Sequence, residues 1–143
     1  AEDTTMLQLT QSFEFAAAHR LHIPDLSEAE NRSHFGKCNN PNGHGHNYVL
    51  EVTLRGPVDA ETGMIVDLKE VKATLEEIVL ERLDHQFLNE AVPYFRTHLP
   101  TTENIVLNLR ELLQDAFPGI ALHRLRLWEN EDLCATWEED RPC

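Results

Sequence analysis

The stretch Cys38-Asn39-Asn40-Pro41-Asn42-Gly43-His44-Gly45-His46-Asn47-Tyr48 constrains this chain more than any other. It leads from a thiol through a turn into two histidines one residue apart. Beyond it, apolar Leu50, Val52 and Leu54 alternate with polar Glu51, Thr53 and Arg55. Alternation of period two is the mark of a strand, in which every second side chain shares a face, so His44 and His46 project the same way, about 7 Å apart at the backbone. Two imidazoles so placed can converge on one metal ion. The same pair also suits polar residues near a strand edge, and the motif alone leaves both readings open.

An earlier stretch supplies a third imidazole. Leu7, Leu9, Phe13 and Phe15 fall on alternate residues between Gln8, Thr10, Ser12 and Glu14, the pattern of a half-buried strand, and the same parity carries Ala17 and His19 onto the apolar side. If the two strands are hairpin neighbours, His19 meets His44 and His46, and three protein ligands leave zinc a fourth position open, as in catalytic sites. Between Leu21 and Pro41 the periodicity disappears, and the composition is that of a long loop. Pro41-Asn42-Gly43 is turn chemistry that delivers the chain into the second strand, and Gly56-Pro57 stops it.

Downstream, Leu68, Val71, Leu75, Ile78, Val79 and Leu83 recur at helical spacing after Asp67, with Glu70 completing a capping-box-like start. A second helix opens at Thr101-Thr102, carries Ile105, Val106, Leu109, Leu112, Leu113 and Phe117 on one face, and ends at Pro118-Gly119. Ala121 to Glu129 and Leu133 to Glu139 are strand-like, with Asn130-Glu131-Asp132 as a hairpin connection. The expected fold is α+β, in the order ββααββ: a four-stranded antiparallel sheet with two helices on one face. On the third strand His123, Leu125, Leu127 and Glu129 are expected to share a face, which ends an apolar row in an acid.

Composition narrows the function classes. A chain of 143 residues buries roughly two thirds of its unfolded surface without disulfides or structural metal, so residues 1–143 read as one domain and any metal as functional. Twelve Lys and Arg against 25 Asp and Glu give a net charge of -13, which argues against nucleic acid as a partner. Cys38, Cys134 and Cys143 form no CxxC pair and read as reduced thiols. The polar start Ala1-Glu2-Asp3-Thr4-Thr5 has no signal-peptide profile, and no apolar run reaches the ~18 residues of a membrane helix. The expectation is a soluble, cytoplasmic chain that does not engage a membrane.

Three further groups have two readings each. Cys38 is either a small buried apolar group or a thiolate favoured by Lys37 and a nearby zinc. Asp84-His85 is either a helix end welcoming a histidine or an acid-histidine proton relay. Glu129 is either a core acid satisfied by backbone donors or an anchor for a guanidine-like ligand edge. Cys134 reads as structural, and His22, His34, His98 and His123 read as surface or loop histidines.

Taken together, Phe15-Ala16-Ala17-Ala18-His19, Cys38 with His44-Gly45-His46-Asn47-Tyr48, Leu83-Asp84-His85-Gln86-Phe87-Leu88-Asn89, Pro100-Thr101-Thr102-Glu103-Asn104 and Trp128-Glu129 resemble the 6-pyruvoyltetrahydropterin synthase and 6-carboxytetrahydropterin synthase family. The resemblance spans Leu7 to Glu138. It implies the tunnelling fold, with trimers stacked into a homo-hexamer and active sites between subunits. It also implies zinc on His19, His44 and His46, Cys38 as general base, and Asp84 with His85 as a relay supplied by a neighbouring subunit. Glu129 would grip the pterin edge, with Thr101, Thr102 and Glu103 completing the pocket.

The implied reaction converts 7,8-dihydroneopterin triphosphate to 6-pyruvoyltetrahydropterin with loss of triphosphate. No nicotinamide or flavin is needed, in keeping with the lack of a GxGxxG. Candidate cations for the triphosphate are Lys37, Arg20 and Lys69. The five-residue spacer from Cys38 to His44 resembles the pyruvoyl-forming type, whereas the carboxy-forming type, on the route to queuosine, usually has three. A non-catalytic zinc- or pterin-binding module is a different class of reading, to which the presence of Cys38, Asp84 and His85 is opposed. A hydrolytic zinc enzyme is weaker still, because no HExxH is present.

Overall fold

The computed structural model describes residues 5–139; Ala1 to Thr4 and Cys143 lie outside them. The alternation at each end of the long loop becomes a pair of 14-residue strands, β1 (Met6–His19) and β2 (His44–Pro57). They run antiparallel in register from Met6 opposite Pro57 to His19 opposite His44, so the first strand does bring its histidine to the second. β4 (Ala121–Asn130) adds to the free side of β2, and β5 (Leu133–Glu138) adds to β4 through a turn in which Asn130 Oδ1 accepts from the amides of Asp132 and Leu133.

Among the described residues the sheet has five strands, not four, in the order β3-β1-β2-β4-β5. The extra one, β3 (Gln86–Phe87), is two residues long and parallel to β1, which makes the sheet mixed. A strand so short has no alternation to read. It arises because the His85 amide donates to the Ala16 carbonyl and Asp84 Oδ1 accepts from the Ala16 amide, which together lay the chain along β1.

The long loop also differs from expectation. It contains α1 (Glu28–Phe35) and a 3-10 turn at Gly36–Asn39. Ser27 and Glu30 form a reciprocal capping box there, while Asn31, the only buried residue of α1, bonds to Ile23, Leu26 and Ser27. Apolar periodicity could not have revealed a helix that buries a single polar side chain. The expected first helix is α2 (Leu68–Leu75), capped by Asp67, which continues through a π-helical turn (Glu76–Leu80) into α3 (Glu81–Leu83). After α4 (Leu88–Ala91) and a 3-10 turn (Pro93–Arg96), α5 (Thr102–Leu113) begins at its cap Thr101, whose side chain accepts from the Asn104 amide.

One face of the sheet packs under these helices. Phe15, Tyr48, Leu50, Val52, Leu54, Leu125 and Leu127 meet Val71, Leu75, Val79, Ile105, Leu109 and Leu113, all buried. Each such side chain contributes about 1.5–3 kcal/mol through burial. The row from Phe15 to Leu127 stops short of the sheet end where His19 and His44 lie, and the polar site begins there.

β4 carries two bulges. Opposite β2, Leu122 pairs with Leu54 and Arg124 with Thr53, so His123 is the additional residue. Opposite β5, Trp128 pairs with Cys134 and Asn130 with Leu133, which leaves Glu129 unpaired. The first bulge overturns the reading of His123 as a surface histidine on the face of Leu125. His123 is fully buried, with its Nε2 3.0 Å from Gln8 Nε2 and its Nδ1 3.0 Å from Glu139 Oε1. Such insertions bend a strand and re-aim the side chain they leave unpaired.

At the start of β2, Gly43 has φ 84°, and a Cβ there would stand 2.8 Å from Phe87 Cε2. Glycine is required on both counts.

Candidate metal centre and active site

His19 is 1% exposed at the end of β1. Its Nδ1 lies 2.9 Å from the Pro100 carbonyl and 3.2 Å from the Tyr48 hydroxyl. A carbonyl only accepts, so Nδ1 carries the hydrogen and Nε2 presents a lone pair, the tautomer a metal ligand needs. Burial, with a smaller contribution from neighbouring histidines, pushes His19 below the ordinary histidine range despite the Pro100 bond. Burial lowers His46 as well, with Glu129 opposing. Both rings are thereby kept neutral.

The ring centroids of His19 and His46 are 5.0 Å apart, those of His44 and His46 4.5 Å, and those of His19 and His44 6.4 Å. Glu129 Oε1 lies 3.1 Å from His46 Nε2 and 3.6 Å from His19 Nε2. Ligating atoms of His19, His46 and Glu129 all fall within 4.8 Å of one another, and His44 stands beside this group rather than in it. The Nε2 atoms of both His19 and His46 are buried and make no hydrogen bond. Unsatisfied buried nitrogens on two converging imidazoles, next to a carboxylate, fit a divalent metal of the zinc type.

Cys38 sits in the 3-10 turn, half-buried, and its carbonyl accepts from the Leu21 amide. Burial raises its thiol above the ordinary range, and the charge of Glu129 raises it further. Lys37, expected to favour the thiolate, is exposed and has no part in this shift. The nearby protein groups therefore hold Cys38 protonated.

Asp84 and His85 do form a pair, with His85 Nδ1 2.9 Å from Asp84 Oδ2. The Ala16 amide, more than His85, holds the Asp84 carboxyl below the usual range. The His85 side chain is 81% exposed. No hydrogen bond or ion pair among the described residues joins this pair to Cys38, although His85 and His46 border one shallow cleft.

Thr101 is occupied in capping α5, Thr102 is buried and Glu103 is exposed. Their link to the centre is Pro100, whose carbonyl holds His19. Tyr48 and Pro100 are the supporting residues that sequence reasoning missed. Tyr48 shares the parity of His44 and His46 and could have been found that way, but a backbone carbonyl leaves no trace in a sequence.

Residues 8–140 match the family model described as 6-pyruvoyl tetrahydropterin synthase. The human 6-pyruvoyl tetrahydrobiopterin synthase is 42% identical over 125 residues, covering 87% of this chain and 86% of that one. The solved structure of the Caenorhabditis elegans 6-pyruvoyl tetrahydropterin synthase superposes with a TM-score of 0.89 at 37% identity, over 98% of this chain and 100% of that one. A putative 6-carboxy-5,6,7,8-tetrahydropterin synthase of Archaeoglobus fulgidus is 38% identical over 98 residues, 68% of this chain and 75% of that one. This α+β chain, with its imidazole cluster at the end of a mixed sheet, belongs to the 6-pyruvoyl tetrahydropterin synthase family. Among the described residues no helix is long and apolar enough to cross a membrane.

Proposed function

We propose that this protein is a zinc-dependent 6-pyruvoyltetrahydropterin synthase, a lyase that converts 7,8-dihydroneopterin triphosphate to 6-pyruvoyltetrahydropterin with elimination of triphosphate. The observation that carries the reading is the pair of buried, unsatisfied Nε2 atoms on His19 and His46 beside Glu129. It is supported by identity of 42% to the human relative of that name.

His19 and His46, with His44 alongside, are the residues that would hold zinc. Bound there, zinc would polarise a side-chain oxygen of the substrate and acidify the adjacent C–H. Burial and Glu129 favour the Cys38 thiol, and a cation held by the neighbouring histidines would favour its thiolate instead; as the thiolate, Cys38 takes the substrate proton. Glu129 influences both Cys38 and the histidines, so the thiol and the ligand set share one electrostatic environment. In its other role Glu129 orients the pterin by accepting from its amino edge, with Thr101, Thr102 and Glu103 bounding the pocket. Asp84 fixes the His85 ring through Nδ1, which leaves the far nitrogen to exchange protons with an adjoining subunit's site in a homo-hexamer.

The alternative is 6-carboxytetrahydropterin synthesis, which the 38% identity to the archaeal relative keeps in view. The five residues Asn39 to Gly43 favour the pyruvoyl reaction. Incubation with 7,8-dihydroneopterin triphosphate and mass analysis of the product decides between them. A retained three-carbon side chain with released triphosphate is expected; a 6-carboxy product would overturn the assignment. Cys38→Ala is expected to keep its zinc, measured by elemental analysis, while turnover falls by at least about a hundredfold. Unchanged turnover in that variant would sink Cys38 as the base.

A further inference from the structure

We propose that the cleft between α1 and the Gly36–Asn39 turn is a subsite for a linear polyphosphate chain, with Arg20, Arg32 and Lys37 as its cations. The inference rests on the reading above, in which the substrate carries a triphosphate, and says where that tail lies. The cleft has a volume of about 320 Å³ and is bordered by those three cations, by Asn40 and His44, and by one carboxylate, Glu28.

This chain has 25 acids for 12 bases, yet Arg20, Arg32 and Lys37 form no ion pair among the described residues. Three cations without an ion pair among the described residues, against the single carboxylate of Glu28, make this cleft a local anion site in so acidic a chain. Arginine supplies a planar fork that matches phosphate oxygens two at a time, and lysine supplies a point charge.

Arg20 is clamped by Asn89, whose Oδ1 accepts from its amide and whose Nδ2 donates to its carbonyl, each at 2.8 Å. Its side-chain Nε donates to the Asn39 carbonyl at 3.1 Å, so the guanidinium is held from one side with its other nitrogens unbonded among the described residues. Arg32 directly follows Asn31, the buried side chain that secures α1. Gly36 then turns the chain at φ 55° and brings Lys37 round to the same cleft. A helix whose only buried residue is polar adds little to the core; what it does here is present Arg32.

His44 borders the cleft, and its ring centroid is 4.5 Å from that of His46. A polyphosphate in the cleft therefore ends beside the imidazole cluster, where a leaving tail must be attached. Lys69, the other cation considered from the sequence, lies in the first turn of α2 and does not border this cleft.

The test uses metal-loaded protein and the double variant Arg32→Gln, Lys37→Gln, both exposed positions that leave the core intact. Inorganic tripolyphosphate and a phosphate-free pterin are each titrated calorimetrically into parent and variant. The parent is expected to bind tripolyphosphate, and the variant to bind it weaker by roughly tenfold for each charge removed, with affinity for the phosphate-free pterin equal in both. Arg32→Lys, which keeps the charge, should recover part of the loss. Equal tripolyphosphate affinity in parent and variant overturns the subsite, and that result includes stripping of the metal by tripolyphosphate, which would affect both alike. Equal weakening of tripolyphosphate and pterin in the variant also overturns it, because the site as a whole would then have been disturbed. A parent that fails to turn over 7,8-dihydroneopterin triphosphate, with the charge-dependent tripolyphosphate loss intact, refutes the proposed reaction and leaves the subsite standing.

Discussion

His85 is the one non-glycine residue with positive φ among the described residues, at 59°. The left-handed region costs an ordinary residue about 1–2 kcal/mol, and strain of this kind persists where the surroundings over-determine it. Here the backbone bond to Ala16 and the ring contact with Asp84 do so. His85→Gly is therefore expected to melt no lower than the parent while turnover falls sharply. A melting temperature several degrees below the parent would show that the side chain holds the turn rather than straining it. At this scale the sequence was readable wherever parity governs, and the rings of His19, His44 and His46 lie near one another for that reason, whereas Glu129, not His44, completes the group whose ligating atoms converge. It misled at His123, because a bulge breaks parity without any compositional mark. Adjacency to Lys37 says nothing of what surrounds the Cys38 thiol in space, where burial and Glu129 raise it.

Among the elements, α1 depends on one side chain. Asn31 is fully buried and makes four hydrogen bonds to backbone groups of residues 23–27. Asn31→Ala removes all four of these bonds, at about 1–3 kcal/mol. The expected result is loss of amide-exchange protection confined to the loop and α1, with the sheet still protected; uniform protection would show that α1 stands without it. β3 depends in a similar way on Asp84. Its carboxyl is held below the ordinary value of 3.8 chiefly by the Ala16 amide. A depressed carboxylate stabilises the fold fully above its unfolded value and loses that contribution as pH falls through the lowered folded value. Denaturant unfolding of Asp84→Asn should therefore show a shallower decline in stability below about pH 4 than the parent. Parallel declines would mean that the Ala16 bond does not depend on the charge. The long amphipathic elements were legible because their apolar period is written in side chains; α1 and β3 were not, because polar and backbone bonds hold them.

At the scale of the whole molecule, no further strand covers either edge of the sheet among the described residues. β3 covers β1 only at Ala17 and Ala18, and β5 forms the opposite margin. Open edges invite pairing with another chain, and the proposed hexamer is one way to close them. Sedimentation at micromolar concentration should find a species six times the 16.4 kDa chain; a monomer that retains full activity would remove the need for a site shared between subunits. Gly43 and Phe87 bear on such an assembly. Where a Cβ at 43 would come within 2.8 Å of the Phe87 ring, the entry to β2 rests against the segment that carries Asp84 and His85. A side chain added at position 43 has to push against the Phe87 ring, so one substitution there bears both on the entry to the histidine cluster and on the segment that carries the Asp84–His85 pair.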